Sequence, residues 1–352
     1  PWPVEAVVLD ESSALKGFGP RKFAILEAFK GLRWKLCCSA TPAPNQRTEF
    51  AQHALFLGRV RSTTEYLNEF FVNRDGDWQF KPYAHEAWVS NLAAWAVFLR
   101  DPALWGFEGM TGGLPELIET FDRMELTPEQ WDRARLLESD DQPQLFGVQV
   151  GGVTSRQRMA QVSNGFLYGP DKKARTVERF PSLKPERVAD LANRVHADER
   201  VIVWCVFRGE AEHLGSLIPD AIVLHGDVPR KRRDESVAAF AAGEGPRVLV
   251  AMQSMFSHGL NLQACHVQVF STQDDSFERR FQAVRRSLRY GQESAVTVHT
   301  PLTVLDESAC MNTLAKASVF ESDSRELEEE MVRRLRPVDT SEVKVLSPEL
   351  MV

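Results

Sequence analysis

From about residue 185 the chain repeats one pattern: a short apolar run, a helical segment, another apolar run. Five such runs recur, "VIVWCVF", "AIVLHG", "RVLVAM", "HVQVFS" and "AVTVHT". The helical segments supply the crossovers that parallel pairing requires. The pattern predicts a parallel α/β domain.

A shorter instance stands near the amino terminus. Val4–Leu9 is apolar apart from Glu5, a helical pattern covers Lys22–Phe29, and "WKLCCSA" closes on Thr41-Pro42. Val4–Leu9 reads as a strand buried on both faces, and the three segments together as a βαβ unit. Ligands of such units sit outside the carboxyl ends of the strands. There, within "VVLDESSALKG", stand Asp10 and Glu11. Two adjacent carboxylates suit a metal and a water; with Ser12 and Ser13 they equally suit the cap of the next helix.

Between about 60 and 180 the character changes. Trp88, Leu92, Trp95 and Leu99 recur at intervals of three and four, the spacing of one buried helix face. "LTPEQWDRARLL" places Thr127 as an N-cap before Pro128 at the first helical position. Ser139–Pro143 reads as an exposed loop, and Asp323–Leu335 as a charged amphipathic helix. With 352 residues, 43% of them hydrophobic and 26% charged, the composition is that of a globular chain with room for two or three domains. No apolar run is long enough to span a bilayer and no signal-peptide pattern opens the chain, so a cytoplasmic setting is expected. The five cysteines are odd in number and form no CxxC pair, which favours reduced core thiols over a disulfide or a zinc site. A net charge of -7 argues against a surface that coats nucleic acid everywhere, and leaves a local basic groove open.

The chemistry concentrates in "SFERRFQAVRRSLRYGQ", residues 276–292. At about 100° per residue, Phe281, Val284 and Leu288 share one side of a helix, and Arg279, Gln282, Arg286 and Arg289 the other. Glutamates at i+4 are missing along most of that face, which weakens the reading as a solvated basic surface. Always-charged guanidiniums aimed in one direction suit a transferring phosphoryl group. "RKRR", residues 230–233, falls in a first helical turn, where positive charge opposes the helix dipole. A nearby phosphate and a plain solvated turn both fit it.

"QAVRRSLRYGQ" resembles motif VI of the Swi/Snf-type translocases of helicase superfamily two, especially their compact phage and bacterial versions. Further blocks stand in that family's order. "LDESS" resembles the Walker B motif II and "CCSATPAPN" motif III; "LPELIETFDRMELTPEQ", "VSNGFLYG" and "SLKPERVADL" resemble the segments leading to the second lobe. "VIVWCVFRGEAEHL" resembles motif IV, "LHGDVPRKRRDESVAAF" the block after it, and "MQSMFSHGLNLQ" motif V. The resemblance implies an α/β fold of two RecA-like parallel-sheet lobes, the first incomplete, with a helical insertion between motifs III and IV. The implied boundaries are 1–58 for the end of lobe 1, 59–180 for the insertion and inter-lobe segment, 181–320 for lobe 2, and 321–352 for a terminal helix and tail.

The same resemblance implies the cofactors ATP and Mg2+, with double-stranded DNA as a partner held through its backbone, in the cytoplasm of a bacterium or a phage-infected host. Asp10 would bind the magnesium through water, Glu11 would orient and deprotonate the attacking water, and Arg286 and Arg289 would be arginine fingers reaching ATP on the other lobe. Ser39, Thr41 and Gln282 would couple nucleotide state to lobe closure. Gly259, Asn261 and Arg233 would contact the DNA backbone or the cleft. The sequence contains no Gly-Lys dipeptide, so the P-loop is expected on a preceding segment, in cis or in trans, and the chain alone is expected to hydrolyse ATP poorly or not at all. Ser12-Ser13 stands where many relatives carry Ala-His, and Met255–His258 where they are often glycine-rich. The expected function is the carboxyl portion of an ATP-dependent DNA helicase or translocase. The alternative is a non-catalytic DNA- or protein-binding fragment with degenerate lobes.

Overall fold

The computed structural model describes residues 4–16, 20–100, 102–106, 114–140, 153–169, 176–255 and 261–334. The chain divides into two compact units, one of residues 1–110 with 316–352, the other of residues 111–315.

In the first unit, β1 (Ala6–Leu9), α1 (Pro20–Ala28) and β2 (Trp34–Cys37) form the expected βαβ arrangement, the strands parallel with Leu9 opposite Cys37. The expectation that β1 is buried on both faces fails. Its register with β2 puts Ala6, Val8, Trp34 and Leu36 on one face, and all four are exposed, Val8 by 62%. A pair of strands with a covering layer on one side only leaves its alternate residues in solvent, however apolar they are.

Next come α2 (Phe50–Phe56), α3 (Thr63–Phe70), a hairpin of β3 (Phe71–Arg74) and β4 (Asp77–Phe80), and α4 (His85–Ala93). The hairpin turns on Asp75-Gly76, both at positive φ, the geometry that an Asp-Gly pair favours. Phe50, Tyr66, Phe70, Trp88 and Leu92 form the core, joined by Leu327 and Met331 from the last helix of the chain. Trp88 and Leu92 are fully buried, as the core stripe requires. Trp95 and Leu99 are not on that helix: hydrogen bonds from Ala94 N to Asn91 O and from Trp95 N to Leu92 O close it at Ala93, and Leu99 is exposed.

The second unit opens with β5 (Leu117–Arg123), α5 (Pro128–Asp140), α6 (Val153–Ser163), a hairpin of β6 (Phe166–Tyr168) and β7 (Val177–Arg179), and α7 (Leu183–Asp190). It continues through β8 (Val201–Cys205), α8 (Arg208–Leu217), β9 (Ile222–Leu224), α9 (Arg230–Ala241), β10 (Val248–Met252), β11 (Val267–Phe270), α10 (Phe277–Val284), β12 (Val296–Leu302) and α11 (Val304–Arg334), whose residues from 316 belong to the first unit. Six strands form one parallel sheet in the order β5-β12-β11-β8-β10-β9. Five are the apolar runs of the sequence; the sixth, β5, adds an edge against β12. Asp323–Leu335, read as a helix of its own, is the end of α11 as far as Arg334.

The α5 cap is as expected: Gln130 N donates to Thr127 Oγ1, and Thr127 N to Gln130 Oε1 at 2.9 Å. Ser139 and Asp140 lie in α5, and the rest of the expected loop falls outside the described residues.

Helices cover both faces of the sheet. Ile202, Trp204, Leu249 and Phe270 pack with Val237 and Phe240 of α9 and Val284 of α10. Val201, Val203, Val248 and Val250 pack on the other face with Leu191, Leu214 and Ile218. Each such side chain contributes about 1.5–3 kcal/mol by leaving water. At the carboxyl ends of β8 and β11, where an open parallel sheet usually leaves a ligand crevice, buried polar side chains fill the space. Glu210 accepts from Val206 N, Phe207 N and Thr272 Oγ1, while Asn164 Nδ2 donates to Thr272 Oγ1 at 2.8 Å. Cys205, Cys265 and Cys310 are buried thiols, Cys37 is half-buried and Cys38 exposed. Among the described residues no helix is long and apolar enough to cross a membrane.

Candidate functional site

The carboxyl ends of β1 and β2 bring four of the expected residues together. Cys38 N donates to Leu9 O at 2.8 Å and Ser12 N to Cys38 O at 2.9 Å, so the loops leaving the two strands are stitched side by side. One loop carries Asp10 and Glu11, the other Ser39 and Thr41. Asp10 is exposed, with Oδ1 accepting from Glu11 N at 3.0 Å. Glu11 has φ of +52°, a left-handed backbone that a residue with a side chain adopts only under constraint. Thr41 is fully buried, and its N–H donates to Ser39 Oγ at 3.1 Å.

Ser12 and Ser13 are buried behind the acids. Ser12 Oγ lies 3.1 Å from Nε2 of His53, a buried residue of α2 that the sequence does not single out. Burial pushes the His53 imidazole down to about 4 and the neighbouring Cys37 thiol up to about 11, so both are neutral at physiological pH.

A solvent-facing carboxylate at the carboxyl end of a parallel strand fits a magnesium ion held largely through water, since Mg2+ prefers hard oxygen donors and keeps much of its hydration. No group of three or more His, Cys, Asp or Glu able to enclose a metal occurs among the described residues.

The second unit holds the remaining candidates, and here the helical projection needs correction. α10 ends at Val284, not beyond Leu288. Bonds from Arg286 N to Ala283 O, Ser287 N to Val284 O and Arg289 N to Ser287 O tighten the chain into turns, and Gly291 at φ of +89° completes the exit. Leu262 N draws the Arg286 carbonyl away from the helix with a 3.0 Å bond, and Leu288 turns into the sheet core. Arg286 and Arg289 therefore do not share a helix face: Arg286 is buried and Arg289 exposed. Gln282 remains on α10, half-buried.

The basic face is also better partnered than its sequence suggests. Arg279 pairs with Asp274 at 2.6 Å. Arg280, passed over by the sequence reading, is buried over the Phe270 ring and donates to Gln273 and Glu119. No local pattern could have revealed a partner 161 residues away.

The segments that resemble motifs V and VI meet through the backbone. Besides the Leu262–Arg286 bond, Gln292 Nε2 donates to Gln263 O at 2.9 Å and Gln263 Nε2 to Tyr290 O. Asn261 is exposed and closes a turn with Gln263, its Nδ2 donating to Gln263 Oε1 at 2.8 Å. Gly259 and His258 lie outside the described residues. Arg233 is half-buried in the first turn of α9, where Arg230 and Lys231 are exposed beside Asp234 and Glu235.

Residues 183–291 match the family described as the helicase conserved C-terminal domain. The ATP-dependent RNA helicase dbp3 of Sclerotinia sclerotiorum is 28% identical over 126 residues, which are 34% of this chain and 21% of that protein. The match thus spans about a fifth of that relative's length. Two solved structures are similar. The C-terminal part of the Fun30 ATPase domain has a TM-score of 0.40 and 13% identity, with 63% of this chain and 99% of that chain covered. The Sulfolobus solfataricus SWI2/SNF2 ATPase core in complex with dsDNA has a TM-score of 0.41 and 19% identity, with 94% and 72% covered. The matched segment runs from α7 through the turns that follow α10, so within the second unit this stretch is similar to the helicase conserved C-terminal domain.

Proposed function

We propose that the chain is the carboxyl portion of an ATP-dependent DNA translocase of the Swi/Snf type. The observation that carries the reading is the helicase C-terminal domain over residues 183–291, which includes both Arg286 and Arg289. The order of the motif-like blocks and the gathering of Asp10, Glu11, Ser39 and Thr41 at two adjacent strand ends support it.

Asp10 would hold magnesium, which would supply charge neutralisation at the phosphates, and Glu11 would orient the attacking water and take its proton. Arg286 and Arg289 stabilise the charge on the transferred phosphoryl group. Ser39 and Thr41, linked by their own hydrogen bond, relay nucleotide state into the first unit; Gln282 serves the same coupling from α10. Asn261, Gly259 and Arg233 contact the nucleic-acid backbone, which gives sequence-tolerant binding. Mg-ATP supplies the phosphoanhydride bond whose hydrolysis drives movement.

The alternative is a DNA- or protein-binding module without turnover, since a fold does not by itself fix activity. One experiment separates the two: ATPase activity with and without duplex DNA, a P-loop segment being supplied in cis or in trans. DNA-stimulated hydrolysis that Glu11→Gln abolishes supports the motor. Salt-sensitive DNA binding without hydrolysis supports the module, and stimulation by RNA alone reassigns the substrate.

A further inference from the structure

We infer that Ser12 and His53 are positioning residues for Glu11, a clamp that holds the water-orienting carboxylate by fixing its backbone in the left-handed region. The inference rests on the proposed role of Glu11.

Glu11 has φ of +52° with no glycine to make that conformation easy. It is pinned on both sides. Upstream, Leu9 is tied to Cys38, and the Glu11 N–H is taken by Asp10 Oδ1. Downstream, Ser12 donates its N–H to Cys38 O and shares a hydrogen bond between its hydroxyl and His53 Nε2; only then does Ala14 N close onto Glu11 O and start the next turn. Ser12 is 2% exposed and His53 4%, so water does not compete for the bond.

Packing alone does not explain an imidazole at position 53. Phe50, Ala51, Ala54 and Phe56 of the same short helix are buried and apolar, and Gln52 is buried beside them. An apolar side chain would satisfy that environment, and a buried polar ring there is costly unless its hydrogen bond is used. The bond ends on the residue next to Glu11. If it is removed, the chain can relax toward negative φ, and the Glu11 carboxylate then swings away from its present direction.

The test uses the full chain, selectively labelled at glutamate, and reads the intraresidue amide-to-Hα NOE of Glu11, which is strong while φ is positive. His53→Leu and Ser12→Ala are expected to weaken it, and His53→Gln and Ser12→Thr, which keep a hydrogen-bonding atom, to retain it. With a P-loop segment supplied, His53→Leu and Ser12→Ala are expected to lower kcat by about ten- to a hundredfold at unchanged KM for ATP. The double variant is expected to be no worse than either single one. A strong Glu11 NOE in folded His53→Leu and Ser12→Ala overturns the clamp, and so does a weakened NOE with unchanged kcat. Absence of hydrolysis by the parent protein overturns the proposed function instead, and the NOE then decides the clamp by itself.

Discussion

His196 and His299 lie Nε2 to Nε2 at 2.8 Å and share one proton. The outer nitrogens fix which ring gives it. His196 Nδ1 faces the Glu199 carboxylate at 3.2 Å, so it carries hydrogen; its Nε2 is then bare and accepts from His299, whose own Nδ1 accepts from Thr120 Oγ1 at 2.6 Å. Two neutral rings satisfy every bond in this chain, whereas two protonated rings set N–H against N–H. Burial holds His299 below the ordinary histidine value of 6.5, helped by the Arg187 guanidinium and opposed by the Asp122 and Glu199 carboxylates. A histidine depressed in the folded state contributes stability that is present above the unfolded value and lost as pH falls through the folded one. The second unit is therefore expected to weaken as pH falls through and below the ordinary histidine value. His299→Gln is expected to flatten that dependence in denaturant unfolding followed by amide signals of β8. An unchanged slope would refute the assignment.

Lys184 and Asp306 form a buried ion pair in the second unit, exposed by 0% and 2% at their side chains. Ser163 Oγ also donates to the Asp306 carboxylate at 3.0 Å and Thr303 N at 2.7 Å, so the pair joins the end of α6, the first turn of α7 and the start of α11. Deleting one partner leaves an uncompensated buried charge. Lys184→Met is expected to cost about 3–5 kcal/mol of unfolding free energy, and Lys184→Met with Asp306→Leu to recover most of it. Equilibrium unfolding in urea checks both. A single variant as stable as the parent would mean that the site admits water.

The end of α11 is structural for the first unit. The Arg47 guanidinium lies 4.6 Å from the Phe80 ring centre and 5.0 Å from that of Trp88, and its Nε donates to Asp323 at 2.7 Å. Glu328 accepts from Arg100 N and Trp105 Nε1, while Leu327 and Met331 enter the core beside Trp88. A chain cut after Ala315 is expected to keep a folded second unit and lose protection in the first. Limited proteolysis and the Trp88 indole signal report this, and an unmoved indole would show that α11 is dispensable there.

What could be read ahead of the structure follows from how local each signal is. β8 announces itself because every residue in it is buried and apolar, so the run is unbroken; β11 is as fully buried, its run interrupted only by Gln268, whose amide accepts from Trp204 Nε1 and donates to Val284 O. β5 is an edge strand with Leu117, Ile118 and Phe121 exposed, and its sequence, LIETFDR, carries neither a continuous apolar run nor a clean alternation. The α10 periodicity continues past Val284 because Leu288 is buried for another reason, the turn that feeds the sheet core. Periodicity records burial and not hydrogen bonding, so a helix and a turn that each bury the right residue look alike. In the candidate site, the acids and motif III were legible as neighbours at strand ends. His53 was not, because it is one of two adjacent polar residues, with Gln52, in a short helix, and its partner Ser12 lies 41 residues away.

Arg286 and Arg289, both proposed to act on the phosphoryl group, differ in burial. Arg286 is buried, its carbonyl held by Leu262 N, while Arg289 is exposed in the following turn. If both act on the phosphoryl group, Arg286→Ala and Arg289→Ala each lower DNA-stimulated kcat by about a thousandfold, once a P-loop segment is supplied, and leave the affinity for duplex DNA nearly unchanged. Lysine is expected to rescue neither, since it lacks the planar fork that pairs with phosphate oxygens. Only Arg286→Ala should also lower the unfolding midpoint of the second unit, because burial makes its side chain part of the packing. Steady-state ATPase, a salt series of DNA binding and a denaturant curve on each variant give the three readouts. A parental kcat in Arg289→Ala would remove the exposed arginine from the chemistry and leave Arg286 as the single candidate.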